Sequence, residues 1–143
     1  MDAFDADVLI YAAVRDHPLG RRVRALFPPG PTQASGEVAG IGSVLLIPEL
    51  LTKPLREKAV DEVDELAALL SRLDLLPTDE ATAEFAAALG ASYRLRAPDA
   101  VHLATAVGAG ADRFLTNNQA HFTKDIAEID IVYPHELPAR SKG

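Results

Sequence analysis

Five oxygen-bearing side chains, Asp5, Asp7, Glu49, Asp99 and Asn118, fall beside the end of a predicted strand or near the start of a predicted helix. In a sheet whose strands lie side by side, such positions meet at one edge. Several carboxylates in one pocket repel each other and need a compensating positive charge. The chain has no cysteine and no paired histidines, so the donors are oxygen atoms. An all-oxygen set favours a hard divalent cation, Mg²⁺ or Mn²⁺. Such an ion activates water and stabilises charge that develops on a phosphoryl oxygen. The chemistry this suggests is hydrolysis of a phosphodiester or a phosphomonoester. An Asp at a helix start is also a common cap, and Asp7, Asp79 and Asp112 fit that simpler role. Asp61, Glu62, Asp64 and Glu65 form a charge run on a solvated helix face, with no part in a site.

These groups are positioned by strands that alternate with helices. Residues 3–5 end a short first strand. Residues 8–14 are predicted helical, with Asp7 as the N-cap candidate. His17-Pro18 breaks that helix, and residues 19–27 form a second short one. Residues 28–31, Pro-Pro-Gly-Pro, read as a loop. Residues 37–41 are a strand candidate, and Ser43 a cap candidate for a helix running through Glu49 to about Thr52. Residues 60–73 carry Val60, Val63, Leu66, Ala67, Leu70 and Leu73 on one face at helical spacing. A strand over residues 73–76 stops at Pro77. Asp79 or Thr78 caps an alanine-rich helix to about Arg94. Pro98 sits just inside the next helix, where proline is favoured, with Asp99 in its first turn and its end near Gly108. Residues 113–116 and 129–132 complete the strands. This alternation predicts an α/β fold with a mainly parallel sheet and helices on both faces.

The chain is of one-domain length: a single domain over residues 1–137 and a tail over 138–143 are expected. With no Cys, thiolate chemistry, disulfides and iron–sulfur clusters are excluded. With no Trp and few other aromatics, a large base-stacking surface is not expected. The apolar run at 8–14 is too short to cross a bilayer. Asp2, Asp5 and Asp7 stand where a secretion signal would carry positive charge. A cytoplasmic protein without membrane contact is the expectation.

Several segments resemble the motifs of PIN-domain nucleases, in that family's order and over nearly the whole chain. Phe4-Asp5-Ala6-Asp7-Val8-Leu9-Ile10-Tyr11 is similar to the opening motif. Ser43 followed by Pro48-Glu49-Leu50-Leu51 resembles the second. Pro98-Asp99-Ala100-Val101-His102-Leu103-Ala104-Thr105-Ala106 resembles the third and is the most specific stretch. Gly110-Ala111-Asp112-Arg113-Phe114-Leu115-Thr116-Asn117-Asn118, with Phe122 beyond it, resembles the fourth. A PIN domain this small most resembles VapC-type toxins of bacterial toxin–antitoxin pairs. The resemblance implies a three-layer α/β/α sandwich and a Mg²⁺- or Mn²⁺-dependent endoribonuclease. It implies Asp5, Glu49 and Asp99 as metal ligands, and Asn118 where the family often has Asp, which leaves a second metal position open. It implies Thr116 as a hydroxyl that orients the fourth-motif group or the water. It also implies direct in-line attack of activated water on an RNA phosphodiester, a protein antitoxin as partner, and a homodimer. Asp7 stands where the family often has Asn, so one extra acid enters or borders the pocket.

The runner-up enzyme is a haloacid-dehalogenase-like phosphatase with Asp5 as nucleophile, since Asp5-Ala6-Asp7-Val8 fits its short opening motif. No later Lys or paired acid supports that reading. A PIN-like module that binds RNA or protein without cleavage is the non-enzymatic alternative. His102, three residues after Asp99, is either a ligand or general acid, or a core histidine whose ring N–H is satisfied internally. His17, His121 and His135 read as loop residues. Arg94 and Arg96, just before Asp99, are the candidate RNA-phosphate contacts. Arg15, Arg21, Arg22 and Arg24, and Lys53, Arg56 and Lys58, form two further basic groups. The apolar faces near residues 19–27 and 44–51 are candidate partner surfaces. The net charge of −7 argues against polyphosphate binding at long range. A cation in the acid pocket would reverse this locally, and a partner would bring basic residues to the groove.

Overall fold

Alternating side chains along short strands divide the interior of the protein into two apolar layers. The structure, a computed structural model, describes residues 1–27 and 37–139. The predicted Pro-Gly loop at 28–31 and the last four residues of the predicted tail lie outside the described residues. The strands are β1 (Asp2–Phe4), β2 (Gly40–Ser43), β3 (Leu73–Leu76), β4 (Arg113–Leu115) and β5 (Asp130–Val132). They form one five-stranded sheet in the order β3-β2-β1-β4-β5, with every pair parallel. Successive residues of a strand point to opposite faces. Ala3, Phe114 and Ile131 therefore enter one core, and Phe4, Leu115 and Val132 the other.

Helices α1 (Ala6–Ala13), α2 (Pro18–Arg24), α3 (Leu46–Arg56) and α4 (Val60–Leu70) cover the second face with Val8, Leu9, Val23, Leu46, Leu50 and Leu66. Helices α5 (Glu80–Tyr93) and α6 (Ala97–Gly108) cover the first with Leu89, Ala100, Leu103 and Ala104, joined by Phe122 and Ile126 from the β4–β5 connection. Each large aliphatic side chain buried this way contributes about 1.5–3 kcal/mol relative to exposure. The result is the three-layer α/β/α sandwich with a parallel central sheet. Among the described residues, no helix is long and apolar enough to cross a membrane.

Local capping shifts several predicted boundaries. Helix α1 begins at Ala6 because Asp5, not Asp7, is its N-cap: the Asp5 carboxylate accepts the Ala6 N–H at 2.8 Å. Asp7 thus lies in the first turn. His17 is not an idle loop residue, since its Nδ1 accepts the N–H groups of Leu19 and Gly20 at 3.2 Å and caps α2. Ser43 ends β2, and its hydroxyl accepts the Leu45 N–H at 3.1 Å in the turn before α3. Helix α3 then runs past Thr52 to Arg56, while α4 stops at Leu70 ahead of β3. Strand β2 lies later than predicted. Helices α1 and α2 meet backbone to backbone, because a Cβ on Gly20 would lie 2.0 Å from the Tyr11 carbonyl oxygen. This approach stacks the His17 ring on Tyr11, with centroids 4.5 Å apart.

The sheet order creates the crevice that matters. The chain lays down β1, β2 and β3 in one direction, then returns across β1 to add β4 and β5 on its other side. The reversal falls between β1 and β4, and ligand sites of open parallel sheets lie at the carboxyl ends of the strands flanking such a point.

Candidate active site

Asp5 and Thr116 follow directly on β1 and β4 at this crevice. Register pairing of Phe4 with Leu115 sets them side by side. The buried Thr116 hydroxyl donates to Asp5 Oδ2 at 2.8 Å, while Asp5 Oδ1 accepts the Ala6 N–H. The same hydroxyl accepts the Asn118 N–H at 3.1 Å. Asn118 is thus tied to the site through its backbone, and its carbonyl accepts the Phe122 N–H at 2.9 Å to close the turn. Asp5 is only 6% exposed. Burial pushes its carboxyl above the usual range, against the opposing pull of His102 and the Thr116 hydroxyl; Asp99 adds to the rise.

Asp7 faces the same crevice from the first turn of α1. Its Oδ2 accepts the Asn117 N–H at 3.0 Å. Its Oδ1 is buried with no hydrogen-bond partner. Burial, with Asp5 as the next cause, pushes its carboxyl up to about 7, and Asp99 contributes. Asp99 lies in the first turn of α6, and its Oδ2 is likewise buried and unpartnered. These mutual effects place Asp5, Asp7 and Asp99 within electrostatic reach of one another.

Glu49, in the first turn of α3, turns its Oε1 onto His102 Nε2. The His102 side chain is 1% exposed and the Glu49 side chain 35%. Burial alone would lower the imidazole's pKa. The Glu49 contact and the carboxylates of Asp5 and Asp99 outweigh burial and raise it. Of the alternatives for His102, internal pairing describes Nε2, while Nδ1 is buried without a partner.

Arg94 is the left-handed C-cap of α5 and Arg96 the N-cap of α6. Both are exposed on the turn that leads to Asp99, and neither forms an ion pair among the described residues. Three arginines of the first basic group are engaged in the fold, Arg21 in an ion pair with Asp16 at 3.9 Å. Arg22 donates to the carbonyls of His135 and Leu137, and Arg24 to those of Val14 and Arg15. Sequence reasoning missed Tyr11 and Asn117. The Asn117 side-chain amide donates to the Tyr11 hydroxyl at 3.2 Å. Tyr11 stands four residues after Asp7, on the same helix face, and that spacing was the available signal.

No three His, Cys, Asp or Glu side chains among the described residues are grouped tightly enough to hold an ion as they stand. The donor chemistry nevertheless fits a hard divalent cation. The carboxylates are close enough to raise one another's pKa, two of their oxygens are buried and unpartnered, and no lysine or arginine pairs with Asp5, Asp7 or Asp99 among the described residues.

A parallel α/β/α sandwich with an acid-lined crevice at its switch point is the class that fold and site define. The PIN domain family model matches residues 3–127, and the chain belongs to the PIN-domain family. This membership replaces the haloacid-dehalogenase-like alternative. Among solved structures, a toxin-antitoxin complex from Klebsiella pneumoniae is similar at 24% identity and a TM-score of 0.72, over 96% of this chain and 100% of that one. VapBC2 from Rickettsia felis, bound to a DNA fragment from its promoter, is similar at 17% identity and a TM-score of 0.68, over 92% of this chain and 97% of that one. A comparison with curated proteins gives no significant match.

Proposed function

We propose that this protein is a Mg²⁺- or Mn²⁺-dependent endoribonuclease and the toxin of a toxin–antitoxin pair. One observation carries the reading: Asp5, Asp7 and Asp99 bury mutually repelling carboxylates at the switch point of a PIN-domain sheet, with two oxygens left unpartnered. The likeness in fold to toxin-antitoxin complexes supports the biological role.

Asp5 and Asp99 would hold the cation, and Glu49, one oxygen of which contacts His102, would complete the site. A bound divalent ion supplies Lewis acidity: it lowers the pKa of water and offsets charge on a phosphodiester. Thr116 fixes the rotamer of Asp5 by its hydrogen bond, and Asn118, tied to Thr116 through its backbone N–H, would offer an uncharged side-chain oxygen. His102 lies among the acids, whose carboxylates raise its pKa, and it orients Glu49 through their contact. Arg94 and Arg96 meet RNA phosphates on the way into the crevice.

The partner is a protein antitoxin, and both act in the cytoplasm, where RNA is at hand. A groove of about 360 Å³ between α1 and α4 suits a segment with apolar anchors and basic flanks. It is lined by Ile10, Val14 and Leu66 and by Asp61, Glu62 and Glu65, so this proposal gives the acidic run on α4 a role that its sequence pattern alone did not suggest. The toxin itself pairs as a homodimer.

The test is cleavage of a broad RNA panel by the purified, partner-free protein, with and without Mn²⁺. Wild type is expected to cleave only with the cation, and Asp5→Asn to lose at least about 100-fold, the scale on which central catalytic groups act. Cleavage by Asp5→Asn at the wild-type rate would place the chemistry elsewhere. RNA binding without cleavage by wild type would favour the non-catalytic module.

A further inference from the structure

Asp7 joins the crevice differently from the other acids. It is not the cap of α1, since Asp5 takes that role. Its Oδ2 accepts the Asn117 N–H, the Val8 backbone N–H also favours its charged form, and Asn117 is fixed in turn by its side-chain bond to Tyr11. Tyr11 is stacked on His17, which caps α2. This run of contacts, from α2 through α1 to the turn after β4, sets the carboxylate's orientation. It leaves Oδ1 buried with no donor, in the same crevice as the unpartnered Oδ2 of Asp99.

A buried carboxylate oxygen without a donor is costly. An N–H group, an arginine or lysine, a proton, a water or a cation would satisfy it. Of the protein's own groups, the Asn117 N–H is taken by Oδ2, and no lysine or arginine pairs with Asp7 among the described residues. The arrangement left is that of a ligating carboxylate: one oxygen anchored by an outer hydrogen bond, the other free. The turn after β4, by contrast, presents the neutral Asn118.

We propose that Asp7 is itself a ligand of the divalent cation, so that α1 supplies a charge that the β4 turn lacks. The proposal rests on the cation-dependent reading above. Its test is Mn²⁺ binding to the full chain without substrate, followed by water-proton relaxation and by calorimetry. Asp7→Asn keeps an oxygen that accepts the Asn117 N–H and removes only the charge. It is expected to weaken Mn²⁺ binding by at least about tenfold, the scale on which even the outer partners of a ligand act. Asp64→Asn, an equal charge change on the exposed face of α4, is expected to bind as wild type does. Circular dichroism checks the fold of each variant, and Asp7→Ser is the second variant if Asp7→Asn does not fold. Wild-type affinity in Asp7→Asn, alongside lost affinity in Asp5→Asn, overturns the proposal and leaves the cation reading standing. Failure of wild type itself to bind Mn²⁺ overturns both.

Discussion

Asp5 has both oxygens occupied, by the Ala6 N–H and the Thr116 hydroxyl, whereas Glu49 spends one of its oxygens on His102. The second contact is a competition. While one oxygen of Glu49 is engaged by the buried imidazole, it would be withheld from a cation, and the same imidazole lies close enough to Asp5 and Asp99 for their carboxylates to raise its pKa. His102→Leu removes both effects at nearly constant volume. Mn²⁺ is expected to bind this variant more tightly, by about tenfold, equivalent to about 1.4 kcal/mol. The cation-free variant is expected to melt lower, because Glu49 then loses its buried hydrogen-bond partner and the carboxylates lose the imidazole that lies among them. Calorimetric titration and thermal melts with and without Mn²⁺ check both outcomes. Weaker Mn²⁺ binding would instead make His102 part of the ligand set.

Helix ends and one close approach hold the elements in register around the crevice. Gly20 is the position where α2 lies against the α1 backbone. Gly20→Ala forces these helices apart against backbone atoms that cannot rotate away. Overpacking of this kind costs about 1–3 kcal/mol, and urea unfolding is expected to show a loss on that scale. Because His17 and Tyr11 shift with the helices, the Asn117 anchor of Asp7 should loosen too. On the opposite face, Asp79 caps α5 through Thr82, accepting its N–H and its hydroxyl at 2.8 Å. These bonds hold the Asp79 carboxyl below its usual value. A lowered folded-state pKa gives stability that is present above the unfolded value of 3.8 and lost as pH falls through the folded one. Asp79→Ala is therefore expected to lower the urea midpoint at pH 7, with the gap to wild type closing in strong acid. Equal gaps at both pH values would show that the cap contributes through packing rather than charge.

At the scale of the whole molecule, the net charge of −7 hides a local arrangement. Acids gather in the crevice, where the proposed cation would offset them, and along α4, where they line the groove proposed for a basic partner. Arg94 and Arg96 stand exposed on the turn between α5 and α6 that leads to Asp99. If both contact phosphates of single-stranded RNA, Arg94→Gln/Arg96→Gln should reduce the log–log salt slope of binding by about 1.4. RNA affinity measured on the Asp5→Asn background across a salt series reads this directly, and an unchanged slope removes the pair from the interface.

Local pattern determined a good part of this protein. The switching of apolar periodicity between strand and helix spacing foreshadowed the parallel α/β/α sandwich, and Pro98 marked the start of the helix that carries Asp99. Asp5, Glu49, Asp99 and Asn118 were legible as positions that a parallel sheet brings to one edge, whereas Thr116 came from the motif resemblance alone. Other features depended on neighbours distant in sequence. The order β3-β2-β1-β4-β5, which puts Asp5 beside Thr116, follows from how the two apolar faces pack, and many orders satisfy the same periodicity. Whether Asp5 or Asp7 caps α1 was decided by backbone angles at one residue. That Glu49 meets His102, and that Asp7 keeps one oxygen anchored and one free, was decided by side chains from α3, α6 and the β4 turn converging on a shared volume. Spacing along a chain sets which face a side chain leaves from; only the packed layers set what it meets.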